Sequence, residues 1–198
     1  FIYTFAIDHL GLTPCTPVPN LPVSIETPMG IWSPKEAGEV EYTGVHPLYW
    51  GLAQSRNNYS AWIMKQAKQP EAVAKFIHDM GIKSYIYPAY ALCLGAFESN
   101  VFELVSAYST FVNEGVHIDP IFVTRIEDKE GNVLGVFSPL KQEAISESSA
   151  YLMVNLMEGV VNEGTAGRLR FRYNLEGPIA GKTGTTNDQS DGWFIGYT

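Results

Sequence analysis

Two short runs of residues carry side chains that could act together on one substrate. Lys182-Thr183-Gly184-Thr185 lies near the end of the chain in a stretch that reads as a strand, and Ser55-Arg56-Asn57 lies between two helical segments much earlier. A lysine ammonium supplies positive potential for a substrate carboxylate or for a nearby serine alkoxide. The threonine hydroxyls beside it can hydrogen-bond that carboxylate, and Gly184 leaves room for a close neighbour against the strand. An exposed strand edge can also hold an extended peptide by main-chain pairing. Ser55 and Asn57 add a hydroxyl that can relay a proton and an amide that can hold a carbonyl. Each run alone is a weak signal. S-x-N also fits a helix-capping turn, and K-T-G also fits a plain strand with an exposed lysine.

The elements that must position these residues can be read along the chain. Residues 1–10 form a helix that Gly11 ends, with Pro14 beyond it. Residues 13–22 hold four prolines and form an extended connection. Residues 24–47 read as loop with short strands. A helical segment over 48–54 leads into Ser55, another covers 59–68, and Pro70 opens a third that Gly81 closes. Ser99 or Asn100 caps a further helix, whose apolar residues Val101, Leu104, Val105, Tyr108, Phe111 and Val112 repeat at the spacing of one buried face. IFVTRIEDKEGNVLGVF reads as two strands joined by a turn at 128–132. A last helix covers 148–162, and the tail from Pro178 reads as two strands with a polar connection at 186–190. Arg168, Arg170 and Arg172 alternate with Leu169 and Phe171, which predicts a strand with one solvated basic face; a substrate-facing role is the second reading. Asp191 and Trp193 read as structural, and Trp32, Trp50, Tyr59 and Trp62 as core or cleft lining. Helices mixed with hairpin-connected strands predict one α+β domain.

Bulk composition narrows the classes. With 198 residues and 45% hydrophobic content, the chain can bury the core of one domain. A formal net charge of −8 argues against a nucleic-acid partner, which wants a surplus of Lys and Arg. No apolar stretch is long enough to span a bilayer, and the first ten residues do not have the pattern of a signal peptide. The four histidines and the two cysteines show no metal-ligand spacing, so no metal is expected. Cys15 and Cys93 either close a long loop as a disulfide or stay as two separate thiols, and the spacing leaves both open.

In combination the two runs say more than either alone. S-x-N followed downstream by K-T-G matches two of the three elements known from serine enzymes that bind β-lactams, the first being S-x-x-K. GLAQSRN, AYSTFVNEG, FVTRIEDKEGNVL, VFSP, VVNEGTA and GKTGTTNDQSDGWFIGYT follow one another in family order. Along essentially its whole length the chain resembles the transpeptidase domain of bifunctional (class A) penicillin-binding proteins, the bacterial peptidoglycan synthases. TPCTPVPNLPV and RFRYNLEG are similar to the versions of the Bacteroidetes group.

The resemblance implies a serine transpeptidase/β-lactamase-like α+β fold, an antiparallel sheet packed with helices and incomplete at both ends, with residues 1–198 as one partial domain. It implies cross-linking of D-Ala-D-Ala stem peptides through a serine acyl-enzyme, and acylation of the same serine by β-lactams. Ser55 would relay a proton, Asn57 would contact a substrate amide, and Lys182 would supply electrostatic support. Thr183 and Thr185, with Gly184 between them, would hold the substrate carboxylate, and the N–H of Thr185 would form half of an oxyanion hole. Arg56 sits where the family varies and receives no catalytic role. No cofactor is implied. The implied partners are the stem peptide and β-lactams, at the periplasmic face of the inner membrane, with the membrane anchor and a glycosyltransferase domain outside this chain.

The sequence departs from the family pattern at the nucleophile. S-x-x-K belongs at the start of a helix ahead of S-x-N, and FIYTFAIDHLGLTP matches the continuation of that helix, so the motif is expected immediately before Phe1. A literal S-x-x-K occurs at Ser138-Pro139-Leu140-Lys141, after S-x-N and with proline inside it, and reads as a turn. The rivals are a D,D-carboxypeptidase or β-lactamase, and a non-catalytic β-lactam- or muropeptide-binding module. A β-lactamase would need, in addition, a base that deacylates the enzyme.

Overall fold

The computed structural model of the chain describes residues 1–186 and 190–198. Its centre is the helix α1 (Ile2–Leu10), where Ile2, Tyr3, Phe5, Ala6 and Ile7 are all buried. Gly11 ends it in the left-handed conformation, φ 64°, with its N–H donating to the Ala6 carbonyl. Three helices follow in the next part of the chain: α2 (Leu48–Ala53), α3 (Asn57–Ala67) and α4 (Pro70–Asp79). The proline-rich connection pairs one short strand, β1 (Pro17–Pro19), with β4 (Val45–Pro47); between them lies a small hairpin of β2 (Ile25–Thr27) and β3 (Gly30–Trp32).

The second half begins with α5 (Val101–Val112), capped by Asn100, whose Oδ1 accepts from the Glu103 N–H at 2.9 Å. Then come β5 (Val116–Ile118), the hairpin β6 (Arg125–Glu127) and β7 (Val133–Val136), and β8 (Lys141–Glu143), which returns to pair with β5. The long helix α6 (Glu147–Asn162) starts at Ser146, whose Oγ accepts from the Ser149 N–H. Asp8, near the end of α1, accepts from both the N–H and the Oγ of Ser146, so the end of one core helix fixes the start of another. After the short α7 (Arg168–Phe171), β9 (Ala180–Thr185) and β10 (Gly192–Tyr197) pair antiparallel, with Lys182 opposite Ile195. The β9–β10 ribbon lies on α6, and α1 is held between α3 and α6. The fold is α+β, with antiparallel strands on packed helices. The polar connection expected at 186–190 lies partly outside the described residues, at 187–189.

Three sequence expectations are settled here. Arg168 to Arg172 do not form a strand: Arg168–Phe171 are helical, Phe171 is exposed, and the segment pairs with no other strand among the described residues. Five alternating residues satisfy their backbone locally instead, through Leu169 N–H to Ala166 and Arg170 N–H to Gly167, while the Arg170 guanidinium donates to Asn162 Oδ1 and to the Leu175 carbonyl. The face of α5 is also rotated from the expected one. Val101, Val105 and Val112 are exposed, and the buried positions are Ser106, Ala107, Thr110 and Phe111, with Leu104 and Tyr108 packed at the edge. α5 packs against α6 and β5, and Thr110 adds a hydroxyl contact to buried His117. Finally, Cys15 is an exposed free thiol and Cys93 a buried one.

Candidate active site

The two motifs meet where α2 turns into α3. Ser55 sits at that turn with φ 52°, in the left-handed region that a non-glycine residue seldom occupies. Its N–H donates to the Leu52 carbonyl and the next N–H, of Arg56, to the Gly51 carbonyl, which closes α2 and turns the Ser55 side chain outward. Gly51 is required for this turn, since a Cβ there would fall 2.1 Å from the ring of buried Tyr59.

The opposite wall comes from β9. Ala180 and Gly181 are buried, whereas Gly184 and Thr185 are exposed, so the strand leaves the core and enters the cleft at Lys182. The Lys182 Nζ donates to Ser55 Oγ at 2.8 Å and to the Thr183 carbonyl at 2.8 Å, joining the two motifs directly. Lys182 forms no ion pair among the described residues, and burial pulls its ammonium down to about 8. Two neutral groups line the same cleft: Cys93, whose thiol burial pushes up to about 12, and Tyr3, whose phenol burial also pushes up. A lysine of this kind can give up or take a proton near neutral pH, with a serine hydroxyl in contact.

The structure places Ser55, Asn57, Lys182, Thr183, Gly184 and Thr185 on one cleft of about 630 Å³. The stray Ser138-Pro139-Leu140-Lys141 contributes nothing to its lining; Lys141 instead opens β8. Arg56 is an anchor. Its Nη2 donates to Asn20 Oδ1 at 3.3 Å, and the guanidinium lies between the rings of Tyr42 and Trp50. The Asp191 carbonyl accepts from the Thr186 N–H and its N–H donates to Thr186 Oγ1, which ties the two residues together beside β9 and β10.

Two residues of the cleft have no counterpart among the motifs. Thr165 Oγ1 lies 2.7 Å from Thr183 Oγ1, and its N–H donates to the Ala53 carbonyl, so it bridges β9 to the end of α2. Gly164 makes that approach feasible, because a Cβ there would meet the Ala53 oxygen at 2.2 Å. Glu36 is the second; its carboxylate accepts from the backbone N–H groups of Asn57 and Asn58. Thr165 lies in the VVNEGTA segment, which carried resemblance but no chemistry, while nothing local in the sequence points to Glu36.

Comparison with known proteins fits this geometry. The family described as the penicillin-binding protein transpeptidase domain matches residues 27–198, and the chain belongs to that family. Penicillin-binding protein 1A of Neisseria meningitidis is 32% identical over 206 residues, covering 100% of this chain and 25% of that protein. The Aquifex aeolicus protein of the same name is 34% identical over 167 residues, covering 84% of this chain and 22% of its own. The crystal structure of penicillin-binding protein 1A from Haemophilus influenzae superposes with a TM-score of 0.83 at 26% identity, over 98% of this chain and 34% of that one. The chain thus spans about a quarter of the length of the curated relatives it matches. No helix among the described residues is long and apolar enough to cross a membrane.

Proposed function

We propose that this chain forms the substrate-binding walls of a serine-type D,D-transpeptidase that cross-links peptidoglycan stem peptides and is acylated by β-lactams. The observation that carries the reading is the 2.8 Å bond from Lys182 Nζ to Ser55 Oγ, which joins S-x-N to K-T-G inside one cleft. The attacking serine is the first residue of an S-x-x-K motif immediately before Phe1. Phe1 lines a cavity together with Lys182, Leu52 and Cys93, which supports a nucleophile close to Lys182.

In this reading the serine oxygen attacks the carbonyl carbon of the penultimate D-Ala, an ester forms, and the terminal D-Ala leaves as its amine takes up a proton. Ser55, already in contact with Lys182, passes that proton. The charge on Lys182 steadies both the developing anion and the substrate carboxylate. Thr183 and Thr165 share one hydrogen bond, so one of the two hydroxyl hydrogens stays free for that carboxylate, which Thr185 receives from the end of the strand. Asn57 holds a substrate amide, and the N–H of Thr185 with the N–H of the nucleophile receives the oxyanion. An amine from a neighbouring stem peptide then attacks the ester, and the serine recovers its proton. The site is placed on the periplasmic face of the bacterial inner membrane, where stem peptides lie.

The test is labelling of the full-length protein with a fluorescent penicillin and mapping of the adduct by mass spectrometry. The expected adduct is on the serine of S-x-x-K upstream of Phe1, with none on residues 1–198 expressed alone. An adduct on Ser55 or Ser138, or an unlabelled full-length protein, overturns the reading.

A further inference from the structure

The segment between β3 and β4 reaches across the cleft and grips the first turn of α3. Glu36 Oε1 accepts from the Asn58 N–H at 2.7 Å and Oε2 from the Asn57 N–H at 3.1 Å. The neighbouring Lys35 carbonyl accepts from Asn57 Nδ2 at 2.7 Å. The residue at the cap of α3 is Arg56, whose side chain has no acceptor, so these first amides have no capping partner of their own. A distant carboxylate fills the role, favoured by the positive end of the helix. The Glu36 side chain is only 7% exposed, and Arg56 Nε lies 3.8 Å from it, an ion-pair contact longer than a hydrogen bond.

Asn57, one of the two residues this capping holds, is the last member of the S-x-N triplet. Ser55 is fixed separately, by its own N–H to the Leu52 carbonyl and by the bond from Lys182, so Asn57 is the group of the triplet that residues 35–36 position. The Lys35 carbonyl takes one of the two Nδ2 hydrogens of Asn57 and so fixes the plane of its amide. The second hydrogen and Oδ1 meet no partner among the described residues and are left for a substrate. We infer that Glu36 is a positioning residue for catalysis, acting through Asn57, with residues 35–36 serving as a strap that sets the geometry of that residue. The inference rests on the transpeptidase reading.

The full-length protein carrying this chain is compared as wild type, Glu36→Gln, Glu36→Ala, Asn57→Ala and the double variant Glu36→Ala/Asn57→Ala. Acylation by a fluorescent penicillin is followed to saturation per folded molecule, and amide hydrogen exchange is read at Asn57 and Asn58. Glu36→Ala lowers the saturating acylation rate by about 10- to 100-fold and changes the half-saturating concentration much less. Glu36→Gln keeps one acceptor oxygen and regains part of the rate; it also carries the test if the alanine variant does not fold. In the Asn57→Ala background, removal of Glu36 costs little more, because its effect passes through that residue. Exchange at both amides rises in Glu36→Ala. Wild-type acylation by Glu36→Ala, additive losses in the double variant, or unchanged exchange at Asn57 and Asn58 each overturn the inference. A wild-type protein that takes up no penicillin strikes the transpeptidase reading instead, and the exchange experiment still decides whether Glu36 holds the turn.

Discussion

The two walls of the cleft are built by different means. The β9 wall is consecutive sequence: strand register against β10 and packing on α6 deliver Lys182, Thr183, Gly184 and Thr185 together. The Ser55–Asn57 wall is assembled from distant parts of the chain, with Glu36 and Lys35 on the first turn of α3 and Asn20 accepting from both Arg56 and Asn58. A strand-built wall tolerates substitutions away from its own residues, because the ladder carries its geometry. A wall held by long-range polar contacts can be disturbed by residues that never touch substrate.

The largest loss falls on the residue where the walls meet. Lys182→Ala removes the charge and the bond to Ser55 Oγ together, and acylation of the full-length protein by a fluorescent penicillin is expected to slow by about 100-fold or more. The thermal midpoint is expected to stay or rise, since a half-buried ammonium with no ion-pair partner among the described residues is removed. Wild-type labelling by this variant would detach the strand wall from the chemistry.

The same lysine makes the junction sensitive to pH. Its folded value of about 8 lies below the ordinary 10.5, so the charged form is disfavoured by folding. Below about pH 8 the lysine is charged in both states and the penalty is fully present. From about 8 to 10.5 the unfolded chain binds more protons, and this group's contribution to stability rises with pH. Activity runs the other way: as the charge on Lys182 is lost above about pH 8, the acylation rate falls by up to about tenfold per unit. Lys182→Arg should remove that limb from the pH–rate profile, because a guanidinium keeps its charge. A falling limb that persists in Lys182→Arg would assign it to another group.

The joint between the walls is steric as well as polar. Gly164→Ala puts a Cβ 2.2 Å from the Ala53 carbonyl oxygen, backbone against backbone, and is expected to cost about 1–3 kcal/mol in chemical denaturation. Gly192→Ala, in open space and outside the left-handed region, is the control for a glycine-to-alanine change without a close approach. Equal losses in the two variants would remove the close approach as the cause.

Legibility from sequence follows the same division. The helix start at Asn100, the stop at Gly11, the β6–β7 and β9–β10 strand pairs and the K-T-G strand announce themselves through local rules of capping, turns and alternation. Local rules fail where the third dimension decides. The basic alternation at 168–172 mimics a strand, yet no neighbouring strand is available to pair with it among the described residues. Only half of the apolar stripe on α5 meets the core: Leu104, Tyr108 and Phe111 pack there, whereas Val101, Val105 and Val112 stay exposed and Ser106, Ala107 and Thr110 are buried instead. Glu36 is invisible for a related reason: its partners lie 21 and 22 residues away, beyond the reach of any helix-capping pattern.

The smallest expected effect tests the bridge between the walls. Thr165→Val keeps the shape of the side chain and removes the hydroxyl that meets Thr183 at 2.7 Å, leaving the Thr165 N–H bond to Ala53 in place. Thr183 keeps its own hydrogen for a substrate carboxylate but loses the partner that orients it, and the net value of one such bond corresponds to about a two- to tenfold change. Because the carboxylate is held before and during acylation, the loss should fall on the half-saturating penicillin concentration more than on the saturating rate. That is the reverse of the pattern expected for Glu36→Ala, whose effect is on the geometry of the reacting groups. If both variants shift the same kinetic parameter, the two walls work as one unit, and the distinction between a wall built on strand register and one held by distant contacts is structural only.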